Sequence, residues 1–268
     1  MATITQFKLK TLTHYMEIVQ NLQHKSLHSL WFRGVTNSKF GLVPTLYRHP
    51  TINLQTDLRN LENQLMTRFR QRSIPYRTRD LTDDWEVLFF MQHYAVPTRL
   101  LDWTENPFIG LHFALMHASA RSLGIKKRTF TESVVWVLNP NIWNETSLND
   151  ITYKGGPLST TDESMKGFAP SSTTLKAHPV ALYGAYNSPR IVAQQGAFTI
   201  FGVGQTPMEK LVANGVFPTQ ALTKIVIDPD RVQAIRKSLL NQGVTEAVVF
   251  PDLEGLALET KRHFGFEG

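Results

Sequence analysis

Three stretches embed polar side chains in apolar sequence. In the first, "SLWFRG", Trp31 and Phe32 are followed at once by Arg33 and Gly34. A guanidinium is almost never buried without a partner, and its planar fork suits bidentate bonds to phosphate. Arg33 is therefore either half of a structural ion pair or a cation waiting for an anionic ligand; Tyr47 and Arg48 follow in the same run. The second stretch, "MQHYAVPTRLLDWTENP", crowds together Gln92, His93, Tyr94, Thr98, Arg99, Asp102, Trp103 and Thr104. The third, "RIVAQQGAF", sets Arg190, Gln194 and Gln195 in what reads as a strand. Near the end of the chain Asp252 and Glu254 precede Gly255.

Plain structural readings stand beside the chemical ones. Arg99 could pair with Asp102 across a turn, Arg33 with Asp102 or Glu254, and His93 could bond a carbonyl. Other chemistries lack their residues. There is no phosphate loop of the G-x-x-x-x-G-K-[ST] type, no H-E-x-x-H and no G-x-S-x-G elbow, and "FGVGQTP" lacks the third glycine of a dinucleotide fingerprint. The histidines are scattered, so no metal site is expected.

The elements that must position these groups can be read from periodicity. Tyr15, Ile18, Val19 and Leu22 share a helical face, as do Leu54, Leu58, Leu61, Leu65 and Phe69. "SLWFRG" reads as a short strand ended by glycine. "DDWEVLFFMQHY" opens with Asp83 and Glu86 at capping-box spacing, and Pro107 suits the first turn of a buried helix over "NPFIGLHFALMHAS". "ESVVWVLNP", "LTKIVIDP" and "EAVVFP" read as strands, "DRVQAIRKSLLNQG" and "DLEGLALETKRHF" as helices. Residues 143–179 are rich in Ser, Thr, Gly and Pro and read as a mobile surface insertion beside the cleft. Helices dominate the first half and strands the second, which implies one α+β domain. Residues 1–28 read as an N-terminal helical extension to a domain over 29–268.

The 268 residues suffice for a sizeable core, and cysteine is absent, which fits a reducing cytoplasm. No apolar run approaches a membrane span or a signal peptide. The net charge of +6 favours a polyanionic partner. Arg68, Arg70, Arg72, Arg77 and Arg79 interleave with Phe69 and Tyr76, a mixture suited to single-stranded nucleic acid. "IKKR" at 125–128 is a second basic run.

"WFRG", "PTLYR", "WEVLFFMQHYAVPTRLLDWTENPFIGLHFAL", "RIVAQQGAFTIF" and "FPDLEGLA" together resemble the FRG domain, named for a Phe-Arg-Gly motif that is here Phe32, Arg33 and Gly34. The layout is also similar, by order and spacing, to ADP-ribosyltransferases such as the DarT toxins. That second resemblance implies a split-sheet fold with a NAD cleft and no metal. It places Arg33 on the pyrophosphate, with Tyr94 and Trp103 as the stacking wall and Thr104 or His93 orienting the ribose. Gln194 or Gln195 stands where that pattern expects glutamate. Gln194 would then read a hydroxyl, and the missing charge would come from Asp102, held at a helix start, or from Glu254. The activity so implied is mono-ADP-ribosylation of RNA or DNA by a cytoplasmic toxin or phage-defence effector held by an antitoxin or inhibitor protein. A non-catalytic nucleotide-binding module and a NAD glycohydrolase are the rivals.

Overall fold

The computed structural model describes residues 2–77, 79–116, 131–185 and 188–266; the basic run at 125–128 lies outside them. Seven strands form one mixed sheet: β1 (Thr5–Leu9), β2 (Trp31–Val35), β3 (Leu100–Thr104), β4 (Ser133–Leu138), β5 (Val180–Leu182), β6 (Gly196–Ile200) and β7 (Leu222–Ile227). Their order is β1-β7-β4-β2-β3-β6-β5, antiparallel throughout except for β1 beside β7. The helices are α1 (Leu12–Lys25), α2 (Gln55–Arg72), α3 (Asp84–His93), α4 (Pro107–Met116), α5 (Pro140–Ser147), α6 (Pro189–Gln194), α7 (Met208–Ala213), α8 (Pro229–Asn241), α9 (Glu246–Val249) and α10 (Leu253–His263). The architecture is α+β.

Central strands are buried on both faces, which is why "SVVWVL" and "LTKIVI" are nearly continuous apolar runs rather than alternating ones. One face gathers Trp31, Val35, Leu101, Trp103, Trp136 and Leu222 against Trp143 of α5 and Leu211 of α7. The other face carries two separate cores. Phe32, Val135, Val137 and Ile225 pack on α1, α4 and α8, whereas Leu100, Leu182, Phe198 and Ile200 pack on α2 and α3. Between these two cores the sheet parts. β2 pairs with β4 along its whole length, and β3 does so with β6, but β2 and β3 meet only at Phe32 and Thr104.

Gly34 lies inside β2 rather than ending it. A Cβ there would stand 2.1 Å from the Gly110 carbonyl oxygen, and one on Gly110 would stand 2.7 Å from Phe32 Cβ. The two glycines let the backbone of α4 lie directly on β2, so the motif glycine serves close approach, not a turn.

Several expectations are corrected. Residues 1–28 are not only an appended helix, because β1 pairs with β7 at the sheet edge and α1 fills the core beneath it. Residues 143–179 are not a loose insertion: Trp143, Leu148, Leu158, Met165 and Phe168 are all buried, and Trp143 stacks on Phe217 with ring centroids 3.9 Å apart. Their polar content satisfies buried backbone instead, as when Asn144 exchanges hydrogen bonds with both the N–H and the carbonyl of Ala181. "RIVAQQGAF" is a helix followed by a strand, because Ser188 caps and Pro189 starts α6. "EAVV" is the short helix α9, where tertiary packing overrides β propensity.

Arg99 pairs with Glu62 rather than Asp102. Its Nε lies 2.8 Å from Glu62 Oε2, and Nη1 and Nη2 donate to the carbonyls of Phe201 at 2.8 Å and Phe168 at 2.9 Å. Both side chains are essentially inaccessible. The guanidinium thus ties α2, β3, the end of β6 and the segment 163–168 together. Glu62→Ala, which leaves that cation unpaired, is expected to cost roughly 3–5 kcal/mol, read as a lowered urea midpoint.

Candidate functional site

Where β2 and β3 part, a cavity of about 240 Å³ opens between α3, α4 and α6. Its polar lining is Arg33, Gln92, His93, Asp102, Thr104, Arg190 and Gln194, and its apolar lining includes Phe32, Phe89, Phe113 and Phe198. Three of the stretches distant in sequence therefore converge on one hollow.

Arg33 leaves β2 on the face of Trp31 and Val35 and reaches across the gap. Its Nη1 donates to the Asp102 carbonyl at 2.6 Å and stands 3.9 Å from Asp102 Oδ2. Its Nε is buried with no acceptor among the described residues. Burial is the main influence lowering the pKa of the guanidinium; Asp102 opposes it and nearby Arg48 adds to it. Arginine nevertheless stays charged, so the strain falls on solvation.

Asp102 stands in the middle of β3, not at a helix start. Strand alternation turns it away from Leu101 and Trp103 and into the cavity, where its side chain is 56% exposed. Its Oδ2 accepts from Gln92 Nε2 at 2.8 Å, and Gln92 Oε1 accepts in turn from the buried Thr98 hydroxyl. Thr98 thereby fixes which end of the amide faces the carboxylate. The remaining carboxylate capacity points to water or a ligand.

His93, one residue further along α3, is held neutral more readily than a free imidazole. Burial lowers its pKa, Arg190 lowers it further, and Asp252 opposes both. Arg190 lies 4.5 Å over the Phe250 ring, which places its charge at the rim. Gln194 Nε2 donates to the Val249 carbonyl at 3.1 Å, so the amide is anchored to α9. Its backbone carbonyl accepts from Thr104 Oγ1 at 2.5 Å.

The helices bearing these groups end alike. Ala95 follows α3 with φ of +56° and Gln195 follows α6 with φ of +46°, the only non-glycine residues of positive φ among those described. After α3 the pattern is a Schellman motif, with Val96 N–H on the Met91 carbonyl and Ala95 N–H on that of Gln92. A left-handed L-residue costs roughly 1–2 kcal/mol, and both instances follow helices whose last residues, His93 and Gln194, line the cavity.

Of the other expected residues, Trp103 and Thr104 also border the cavity, whereas Tyr94 and Glu254 do not. Trp103 borders the cavity, but its ring belongs to the core on the opposite face, with its Nε1–H on Thr199, and so offers no free stacking face. Tyr94 points outward, edge-on to Phe90 and His93. The Thr104 hydroxyl is spent on Gln194 and the Asn106 N–H. Glu254 sits exposed in the first turn of α10, away from the cavity lining. The aromatic surface comes instead from Phe89, Phe113 and Phe198, which the sequence did not single out because phenylalanine in an apolar run carries no mark of a site.

The arginine run is dispersed. Arg70 pairs with Asp84 at 2.7 Å, Arg77 with Asp80 at 3.2 Å and Arg79 with Glu86 at 2.7 Å. Hydrogen bonds from the Thr82 N–H and from Arg79 hold the Glu86 carboxyl at a pKa of about 2. Arg68 and Arg72 remain on an open face of α2. Among the described residues no cluster of His, Cys, Asp and Glu could hold a metal ion. None of the described helices is long and apolar enough to cross a membrane.

Residues 28–122 match the family model of the FRG domain. No curated protein and no solved structure matches the chain significantly.

Because the folded state favours neutral His93, the unfolded chain takes up its proton first on acidification. Stability from this group is complete above the ordinary histidine pKa near 6.5 and declines as pH falls toward the lowered folded value. Melting temperatures between pH 5 and 7 are expected to fall less steeply for His93→Gln than for the parent.

Proposed function

From the FRG match and the parted sheet, we propose that the chain binds NAD in the cavity and transfers its ADP-ribosyl group to nucleic acid, RNA or DNA. The observation that carries this reading is Arg33: a permanent cation facing a cavity, with a buried Nε that no atom of the described residues satisfies. A pyrophosphate oxygen would supply that acceptor together with the compensating charge. The order of parts resembles that of a transferase: an arginine on a strand at the opening, a polar segment running into a buried helix, and a polar residue, Gln194, at the end of the short helix that precedes a later strand.

The cavity is smaller than the roughly 300–1,000 Å³ of pockets that enclose a drug-sized ligand. It suits one end of a dinucleotide, with the remainder lying over the rim beside Arg190. In the transfer the bond between the ribose anomeric carbon and the nicotinamide nitrogen breaks and nicotinamide leaves with the electron pair. A nucleophilic nitrogen or oxygen of the acceptor bonds to the same carbon and loses its proton to solvent or to Asp102. Asp102, oriented by Gln92, faces the positive charge that develops on the ribose. His93 and the phenylalanines bound the nicotinamide end. A transferase of this kind acting in the cytoplasm would harm its host, which fits a toxin or phage-defence effector restrained by an inhibitor protein.

A binding module is the second reading, and Gln194 favours it. Its amide is anchored to a carbonyl and brings no charge to the cavity. Incubation with labelled NAD, RNA, DNA and cell extract separates the possibilities. Label on a polymer supports the transferase, free ADP-ribose alone means a glycohydrolase, and binding without turnover means the module.

Arg33→Ala is expected to abolish NAD binding, measured by calorimetry, while the thermal midpoint stays within a few degrees. A large drop in midpoint with NAD binding retained would make Arg33 purely structural. Asp102→Asn is expected to lower turnover by about 10²-fold or more with little change in NAD affinity, as removal of an oriented transition-state charge does.

A further inference from the structure

The outward face of α2 has a composition that the cavity does not use. Gln64, Arg68 and Arg72 line up at helical spacing, with Asn63, Thr67 and Gln71 beside them, and together they form a shallow trough without a carboxylate. The one acid within α2 beyond its first turn, Glu62, is buried against Arg99. Arg68 and Arg72 are exposed and form no ion pair among the described residues. The trough continues past Asn63 and Thr67 to Arg59 and Arg70, where one carboxylate, Asp84, enters the lining paired with Arg70. There Arg59 donates to the carbonyls of Ser172 and Thr173 and so fixes the loop that makes the far wall. Directly after α2, in the turn Ile74–Tyr76, the Tyr76 ring is 85% exposed.

We propose that single-stranded nucleic acid lies along this trough. Its phosphates would meet Arg68 and Arg72, and an unstacked base would meet Tyr76. From Asn63 to Arg72 the helix runs about 14 Å, room for several phosphates of a strand. Cations interleaved with amides and an exposed aromatic fit a backbone together with base faces, and a duplex hides its base faces. An acidic protein surface would use the arginines and leave Tyr76 idle.

Helix α3 relates the trough to the cavity. Its first residue, Asp84, pairs with Arg70 at the trough, and Gln92 and His93 at its other end line the cavity. The separation along the helix is about 12–14 Å, within reach of a strand lying on α2. That the strand is there to be modified rests on the NAD reading of the cavity; that it binds does not.

Fluorescence anisotropy of a labelled single-stranded RNA oligomer and its DNA counterpart, titrated at several salt concentrations, tests the proposal. Binding should weaken with salt, and Arg68→Ala with Arg72→Ala should flatten the log–log slope by about 1.4, two contacts at about 0.7 each. Tyr76→Ala should weaken binding about tenfold. Both variants should keep NAD affinity, and Arg33→Ala should lose NAD affinity while keeping the oligomer. An unchanged slope in the double variant overturns the proposal. So does equal affinity for a duplex of the same sequence, or equal competition by polyglutamate, which would mark an acidic protein partner. Trough-dependent binding by a chain that binds no NAD supports the trough and removes the transferase reading.

Discussion

Between β2 and β3 the antiparallel ladder lasts for one pair, Phe32 with Thr104, and then stops. Past that point Arg33 and Gly34 would face Trp103 and Asp102 across a closed sheet. Instead the Arg33 side chain enters the gap and takes the Asp102 carbonyl. The same departure coincides with the separation of the two cores on that face, where the cavity lies between them, while the core on the other face continues across β2 and β3. Arg33 is thus structural and receptive at once. One Nη serves the backbone of the neighbouring strand, and its Nε meets no acceptor among the described residues.

An opening in the middle of a sheet loses hydrogen bonds and must be held by what surrounds it. On one side the glycine pair at 34 and 110 lets α4 lie on β2 at backbone distance. On the other, the Arg99 guanidinium joins four segments around β3 through Glu62 and two carbonyls. Buried ion pairs are weak sources of net stability, but they penalise alternative arrangements heavily because either charge left alone is costly. The two left-handed residues, Ala95 and Gln195, act in the same sense. Each fixes where a cavity-lining helix ends, at a local cost borne by the surrounding packing.

Much of this was legible in advance, and the failures have definite physical causes. The mixed α+β class, most of the helices and the strands at 31–35, 133–138 and 222–227 follow from period and capping signals. That Arg33, His93, Asp102 and Gln194 line one cavity was anticipated only through the resemblance, since the residues alone left plain structural readings open. The strand position of Asp102 was missed because "LLDWT" alternates only through a single charge, which also fits a loop. Segment 143–179 looked loose because its Ser, Thr and Gly content hid five buried hydrophobic anchors. Trp103 and Tyr94 were misplaced because type alone does not say which face of a strand, or which side of a helix end, a ring takes. The pairings of Arg70, Arg77 and Arg79 depend on where α3 packs, which no local pattern records.

The opened sheet also decides how separable the matched segment is. Residues 28–122 contain β2 and β3 but neither of the strands that pair with them along their length: β4 and β6 both come later in the chain. Cut out alone, the segment would present two short strands sharing one register point, each with a bare edge flanked by apolar faces. The motif residues that define the domain are therefore organised by chain that the match does not cover. Exchange of that later chain among proteins carrying the motif would leave Arg33 and Asp102 in place while rebuilding α6, and with it the Arg190 and Gln194 side of the cavity.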